Sequence, residues 1–496
     1  MNLDPSLEYQ NLIKTIKAYN PQADFRLIEK AYFAAKTAHD GQKRLSGEDY
    51  ICHPLAVASF LASWKLDSFS ICVGLLHDVI EDGGKTHENL EKNFNKEIAD
   101  LVDGVTKIGD IKFQNSAENE FVDNLRKMLV VMAKDLRVVL IKLADRYHNM
   151  RTLSFLPLEK QKRIARETLE VYAPLAERLG IGELKGNLED LAFPYCYPED
   201  YAWLVSFTAP YFKMTEKLVE EAINQVKNEL EKEKINGQVQ GRVKHLYSLW
   251  RKLLRPEINK DITKIYDIVA MRILVSDIRD CYASLGIVHK LWRPVPSEGI
   301  SDFIAVPKPN GYRSIHTKVF GPEGKIIEVQ IRTFQMHDEA ENGIAAHWFY
   351  SQTKSEKGTS DENVEQGFFA PSEKLNWVKQ MVSWQQEMVD TQEYMDALKF
   401  DAFGHRIFVF SPKGDVYDLP SGATPVDFAY AVHTKLGDQA TGVLVNGKMV
   451  SMETKLLSGQ MVEILTSDKK KGPSRKWMDF VVTSQAKKEI MKHFRI

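Results

Sequence analysis

Cysteine is scarce in this chain and unpaired. Four thiols in 496 residues (Cys52, Cys72, Cys196 and Cys281) share no close spacing. That excludes a disulfide framework and a zinc knuckle, and suits a reducing cytoplasm. No run of about 18 apolar residues occurs, so no membrane-spanning helix is expected. The start, Met1-Asn-Leu-Asp-Pro5, has neither a basic n-region nor an apolar h-region. The net charge of -2 gives no global basic field, so any nucleic-acid contact must come from a local patch. The middle of the chain has no Gly-x-x-x-x-Gly-Lys string, so it is not a P-loop kinase. Internal repeats are missing too. What is left reads as a soluble cytoplasmic protein of about three domains.

Strand signals are rare before about residue 195. Phe25–His39, Leu55–Ser63, Phe69–Glu81, Val122–Lys134 and Leu158–Arg178 have helical spacing. Met214–Lys234 predicts an amphipathic helix. Ile265–Val275, Phe303–Val306, His316–Phe320 and Lys325–Arg332 predict strands among helices and turns, an α/β region. Residues 351–374 are polar and aperiodic, a linker or mobile loop, with a helix expected at about 375–396. Beyond them, Arg406–Phe410 and Val416–Leu419 predict strands. Thr424-Pro425 predicts a helix start, and Asn446-Gly447 a hairpin. The order strand, strand, helix, strand, strand suggests a β-grasp unit. The expected division is 1–195, 196–350 (opening with a helical connector), 351–400, 401–466, and 467–496 as the start of a helical segment.

The first chemistry lies at His77-Asp78-Val-Ile-Glu81-Asp82. On a helix, 77 and 81 share a face, as do 78 and 82. Such a cluster after an apolar run is costly without a metal or a charged partner. His53 and Asp145 extend it to two imidazoles and two carboxylates, a set suited to Mn²⁺, Fe²⁺ or Zn²⁺. A lone histidine is more often a satisfied core residue, but the order His, His-Asp, Asp on helices is that of HD-type metal phosphohydrolases. Glu81 and Asp82, outside the ligand set, are candidates to orient a water or move its proton.

The α/β region carries cations beside strands: Arg242 and Lys244, Arg272, Lys308 with Asn310, Tyr312 and His316. Asp267 sits at the start of a strand. Period-2 alternation puts Glu328, Gln330 and Arg332 on one face. Any one of these pieces alone reads as a solvated strand face.

Together the strings Ala38–Pro54, His77–Asp82, Leu143–Leu153, Glu328–Thr333 and Ala345-Ala-His-Trp348 resemble the long RelA/SpoT-homologue family over about 25–485. The resemblance implies an all-α HD-type hydrolase domain, an α/β nucleotidyltransferase-like synthetase domain and a small β-grasp TGS domain. It implies a bifunctional alarmone enzyme. One activity transfers pyrophosphate from ATP to the 3′-hydroxyl of GDP or GTP, and the other hydrolyses (p)ppGpp. In the hydrolase it implies His53, His77, Asp78 and Asp145 as Mn²⁺ ligands, Glu81 and Asp82 as the catalytic pair, and Arg44 and Asn149 as nucleotide contacts. In the synthetase it implies Asp267 and Glu328 as catalytic residues at Mg²⁺, with Glu328 taking the proton from the 3′-hydroxyl. Tyr312 stacks on guanine, Arg242 and Arg272 flank adenine, and Lys244 and Lys308 neutralise phosphates. Asn310, His316 and Gln330 complete the substrate contacts.

His433, in the TGS-like stretch, is implied as a contact to deacylated tRNA on the ribosome; read without the resemblance, it caps or packs a helix end. Two departures stand out. Leu45 replaces a usual basic residue, and Ser297–Ser301 matches neither the basic nor the acidic form of the motif before the synthetase strand. The family's further C-terminal domains have no counterpart before residue 496, which implies a shortened form. Two other readings stay open: a hydrolase with a nucleotide-binding regulatory middle domain, and a non-catalytic tRNA or ribosome sensor.

Overall fold

A computed structural model describes residues 4–109, 131, 134–256, 258–265, 268–296, 299–307, 311–343, 345, 406–457, 459–467 and 472–494. The expected linker, the helix at 375–396 and nearly all of Val122–Lys134 lie outside them. The rest falls into two compact units, one holding the residues up to 307 and from 312 to 345, the other those from 406 on. No described helix is long and apolar enough to cross a membrane.

The described residues up to about 195 are mostly helical, as their spacing predicts. Helix Phe25–Ala38 starts where the Asp24 carboxylate accepts Leu27 N–H, and helix Ser68–Leu76 starts where Asp67 accepts Ser70 N–H. Helix Ser68–Leu76 is buried on every side from Ser70 onward, so it forms the axis of this core. Helices Cys52–Ser63 and Phe25–Ala38 pack against it. Arg137, itself buried, pairs with Asp67, Glu97 and Asp135 and so ties the start of helix Arg137–Arg151 to this axis.

Two helices differ from their expected course. The helix expected over Phe69–Glu81 ends at Leu76, and residues 77–82 form successive turns. Asp82 N–H still reaches Asp78 O at 2.8 Å, but Lys85 N–H turns back to Val79 O beside Gly84, whose φ is 64°. The helix expected over Leu158–Arg178 carries a π turn at Thr168–Tyr172. The π turn takes up one extra residue within a single turn.

The α/β region is a five-stranded sheet in the order β1-β2-β5-β4-β3: β1 Gly237–Val243, β2 Val269–Val275, β3 Ile300–Asp302, β4 Ile315–Phe320 and β5 Ile326–Thr333. Only β2 and β5 run parallel. Met271, Ile273, Ile315, Val319, Ile327, Val329 and Ile331 form the core face, together with residues of helices Pro198–Lys232 and Ile278–Leu291. The strand expected at Phe303–Val306 is a turn. Asp302 Oδ1 accepts from Ile304 and Ala305 N–H at 3.0 and 2.9 Å, which ends β3. The helix expected from Met214 begins at Pro198.

The second unit pairs β6 Arg406–Phe410 with β7 Val416–Pro420, and β8 Ala440–Val445 with β9 Lys448–Val450 and β10 Val462–Thr466. A parallel bridge between Phe410 and Met461 joins the two sets, with helix Pro425–Val432 between them in sequence. Thr424 and Pro425 open that helix as expected, and Asn446-Gly447 makes the hairpin with both φ angles positive. Asp427, fully buried, accepts from Thr424 on one oxygen and from Val482 and Thr483 on the other, fastening the C-terminal stretch to this unit.

Candidate active sites

The helical core brings His53, His77 and Asp78 together, with ligand atoms all within 4.8 Å of one another. His53 Nε2 and His77 Nε2 approach to 3.2 Å. Asp78 offers Oδ1 at 3.1 Å from His77 Nε2 and Oδ2 at 3.4 Å from His53 Nε2. Asp145, on helix Arg137–Arg151, brings Oδ1 to 3.3 Å from His53 Nε2 and 3.9 Å from His77 Nε2. Both histidines are at most 2% exposed. Two imidazole edges and two carboxylates aimed at one point call for a cation between them. The donor set therefore fits a divalent metal.

Within the group, burial competes with the charges of its own members. Burial lowers His77 below its ordinary value. Burial opposes charge on His53 too, but hydrogen bonds to Asp145 and Asp78 outweigh it and raise the group. Burial works against ionised Asp78 and Asp145 as well. Yet His77 and His53 hold Asp78 down, and Lys142, 2.8 Å from Asp145 Oδ2, does the same for Asp145.

Ring orientation is set from behind. His77 Nδ1 lies 2.9 Å from Gly74 O, which turns Nε2 to the centre. His53 Nδ1 lies 2.8 Å from His148 Nδ1. Tyr50 is the other support: its hydroxyl donates to Asp78 Oδ2 at 3.0 Å and Asp82 Oδ2 at 2.7 Å, and its ring stacks on His39. Tyr50 and His148 are given no role by the sequence pattern, although both stand inside the matching strings. Glu81 and Asp82 are exposed in the turn after His77.

A cavity of about 530 Å³ opens beside this group, lined by Arg44, Tyr50, Lys142, Asp145, Arg146 and Asn149 among others. Arg44 donates to Asn149 Oδ1 and to His148 Nδ1, both at 2.8 Å, and Asn149 donates to Asp145 Oδ1 at 2.5 Å. The two expected nucleotide contacts are therefore joined to each other and to the metal group. Leu45 lines the same cavity and is 72% exposed. The π turn contributes Tyr172, whose ring lies 4.1 Å under Arg146.

A second constellation lies on the polar face of the sheet. Register aligns Gln240, Arg272, Gln330 and His316 across four strands, with Arg242, Ala270, Glu328 and Lys318 in the adjacent row. Gln330 donates to Glu328 Oε1 at 3.0 Å, and His316 Nδ1 lies 3.3 Å from the same oxygen. Tyr312 and His316 Nε2 are 2.8 Å apart, with Phe303 edge-on to both rings. Glu341 Oε1 accepts from Arg332 at 2.8 Å and Arg272 at 3.2 Å. Arg272 Nε, Arg332 Nε and Gln330 Oε1 are buried without a hydrogen-bond partner, and burial with Arg332 nearby lowers Arg272 to about 10. Two of these three atoms are guanidinium donors, which an anionic ligand could satisfy. Lys244 gives its backbone N–H to Ile268 O. Asp267, Lys308 and Asn310, with Ser297 and Glu298 of the Ser297–Ser301 departure, lie outside the described residues.

The two sites share one unit. His245, just after β1, meets Asp190 of helix Gly182–Cys196 at 2.8 Å and Glu183 at 3.9 Å. Gly186 leaves the room, since a Cβ there would lie 2.3 Å from the His245 ring. Burial opposes the charge, but Asp190 and Glu183 raise His245 from 6.5 to about 9. Its stabilising contribution is therefore complete below about pH 6.5 and is lost as pH rises through about 9. Calorimetric melting of wild type and His245→Asn should show a stability gap at about pH 6.5 that closes by about pH 10. A gap unchanged across that window contradicts the ion-pair account.

In the second unit His433 is exposed and N-caps helix Thr434–Gln439, its Nδ1 accepting Lys435 N–H at 3.1 Å.

These features define a multidomain protein with an HD-type metal site, a cationic mixed-sheet site and a β-grasp unit. The HD domain family matches residues 31–182, the region found in RelA/SpoT proteins matches 241–355, and the TGS domain matches 407–466. A GTP pyrophosphokinase of Myxococcus xanthus is 46% identical over 96% of this chain and 61% of its own length. The bifunctional (p)ppGpp synthase/hydrolase RelA of Mycobacterium tuberculosis is 45% identical over 97% of this chain and 64% of its own. The bifunctional (p)ppGpp synthase/hydrolase SpoT of Escherichia coli is 41% identical over 97% of this chain and 66% of its own. The chain belongs to the RelA/SpoT family, and spans about three-fifths of the length of these relatives. The small alarmone synthetase 1 of Bacillus subtilis covers 37% of the chain at 24% identity with a TM-score of 0.24, too low a likeness to carry argument.

Proposed function

We propose that this chain is a bifunctional alarmone enzyme. It transfers pyrophosphate from ATP to the 3′-hydroxyl of GDP or GTP, giving (p)ppGpp and AMP. It also hydrolyses (p)ppGpp to GDP or GTP and pyrophosphate. The observation that carries the reading is the coexistence in one chain of the His/Asp group beside a cationic cavity and the Glu328 face with its unpaired donors.

In the hydrolase, His53, His77, Asp78 and Asp145 hold Mn²⁺. Bound there, the ion supplies a water of lowered pKa and polarises a phosphoryl oxygen. Asp82, held toward Asp78 by Tyr50, moves the proton with Glu81. Arg44 and Asn149 orient the nucleotide, and Leu45 takes the place of a phosphate contact. In the synthetase, Glu328 accepts the proton of the 3′-hydroxyl, and Tyr312 stacks on guanine. Arg242 and Arg272 flank adenine, Lys244 and Lys308 neutralise phosphates, and His316, Asn310 and Gln330 orient the substrates. Asp267 and Glu328 hold Mg²⁺. Most of the barrier is met by positioning and charge neutralisation. His433 is proposed to contact deacylated tRNA, and the chain to work in the cytoplasm.

A second reading, a hydrolase whose middle domain only binds nucleotide, is favoured by the altered Ser297–Ser301 motif. Radiolabelled ATP with GDP or GTP, and separately labelled ppGpp with Mn²⁺, distinguish the two. Turnover in both assays is expected. Hydrolysis without synthesis removes the bifunctional reading and leaves the second.

A further inference from the structure

We infer that His148 is a positioning residue for the metal centre, locking the ring of His53. The inference rests on the metal-site reading above. Arg44 Nη1 can only donate, and it lies 2.8 Å from His148 Nδ1. His148 Nδ1 must therefore accept. The same nitrogen lies 2.8 Å from His53 Nδ1, so its single lone pair is shared between the guanidinium and His53, and the proton of the second contact sits on His53. With Nδ1 protonated, His53 turns a bare Nε2 toward His77, Asp78 and Asp145. The acceptor behind His53 is thus a second imidazole, whose own tautomer is fixed by an arginine. His148 is 8% exposed, and its ring lies 4.9 Å from that of His53.

The arrangement has a second arm. Arg44 Nη2 grips Asn149 Oδ1, and Asn149 donates to Asp145 Oδ1. One cavity-lining guanidinium thereby stands two hydrogen bonds from His53 and two from Asp145. Supports of this kind typically change metal affinity by about 10- to 100-fold when removed.

The test is Mn²⁺ binding to the metal-stripped full chain, by calorimetry or electron paramagnetic resonance, without substrate. His148→Leu removes the acceptor and should weaken Mn²⁺ binding by about 10- to 100-fold. His148→Asn keeps an acceptor oxygen near the position of Nδ1 and should bind within about threefold of wild type. Thermal melting of both variants separates lost folding from lost orientation. Leucine binding like wild type overturns the inference. So does asparagine binding as weakly as leucine while both stay folded, since packing alone would then explain the loss. Wild type that binds no Mn²⁺ overturns the metal-site reading itself, and this inference with it.

Discussion

Asp82→Ala should lose (p)ppGpp hydrolysis by about 10²- to 10⁴-fold while synthesis stays within about twofold of wild type. The carboxylate is outside the metal group, so the ligand set survives its removal. Tyr50 keeps its bond to Asp78 in the variant, so the turn after Leu76 retains one of its two anchors. What goes is the group proposed to move the proton of the attacking water. Mn²⁺ affinity should change little, which separates this loss from a ligand loss. Initial rates of pyrophosphate release from labelled ppGpp, measured beside AMP formation in the synthesis assay, give both numbers. Hydrolysis at wild-type rate in Asp82→Ala would falsify the proposed role.

Glu328→Gln should give the opposite pattern: synthesis lost by about 10²- to 10⁴-fold, hydrolysis kept. Glutamine retains the shape and an acceptor oxygen toward Gln330 and His316, so the polar face should keep its form. It cannot accept the proton of the 3′-hydroxyl at neutral pH. The loss should therefore appear in kcat with KM for both nucleotides nearly unchanged. A rise in KM alone would make Glu328 a binding residue and contradict its role as base. Because Tyr312, His316 and Glu328 form a connected row, Glu328→Ala disturbs orientation as well, and is the poorer test.

The metal group is legible in the sequence because each ligand sits in a local pattern: His-Asp after an apolar helix, and Asp145 within its own helix. The alternation in β5 is equally legible, since Val329 and Ile331 must point into the core and so turn Glu328, Gln330 and Arg332 outward from it. Tyr50 and His148 are not. Each acts on a ligand distant in sequence through a hydrogen bond that exists only once the segments carrying the two residues are packed. The end of helix Ser68–Leu76 is hidden for a related reason. The apolar pattern continues through Val79 and Ile80, while the backbone is already committed to turns that hold Asp82 by Tyr50. The early start of helix Pro198–Lys232 is legible only through Trp203, Phe207 and Tyr211 at four-residue spacing, which pack in the aromatic cluster around Phe193.

The contacts between the helical region and the sheet bear on how the protein can be handled. Helix Phe334–Asn342 leaves β5 and ends at Gly343, where a Cβ would lie 2.3 Å from Leu179 O. Its Asp338 pairs with Lys65 at 2.5 Å, and His245 is held by Asp190. A fragment cut at about residue 195, where composition changes, strips the sheet of these neighbours and leaves His245 without its carboxylates. Rates measured on isolated halves would belong to two altered proteins, and their sum would not describe the intact one.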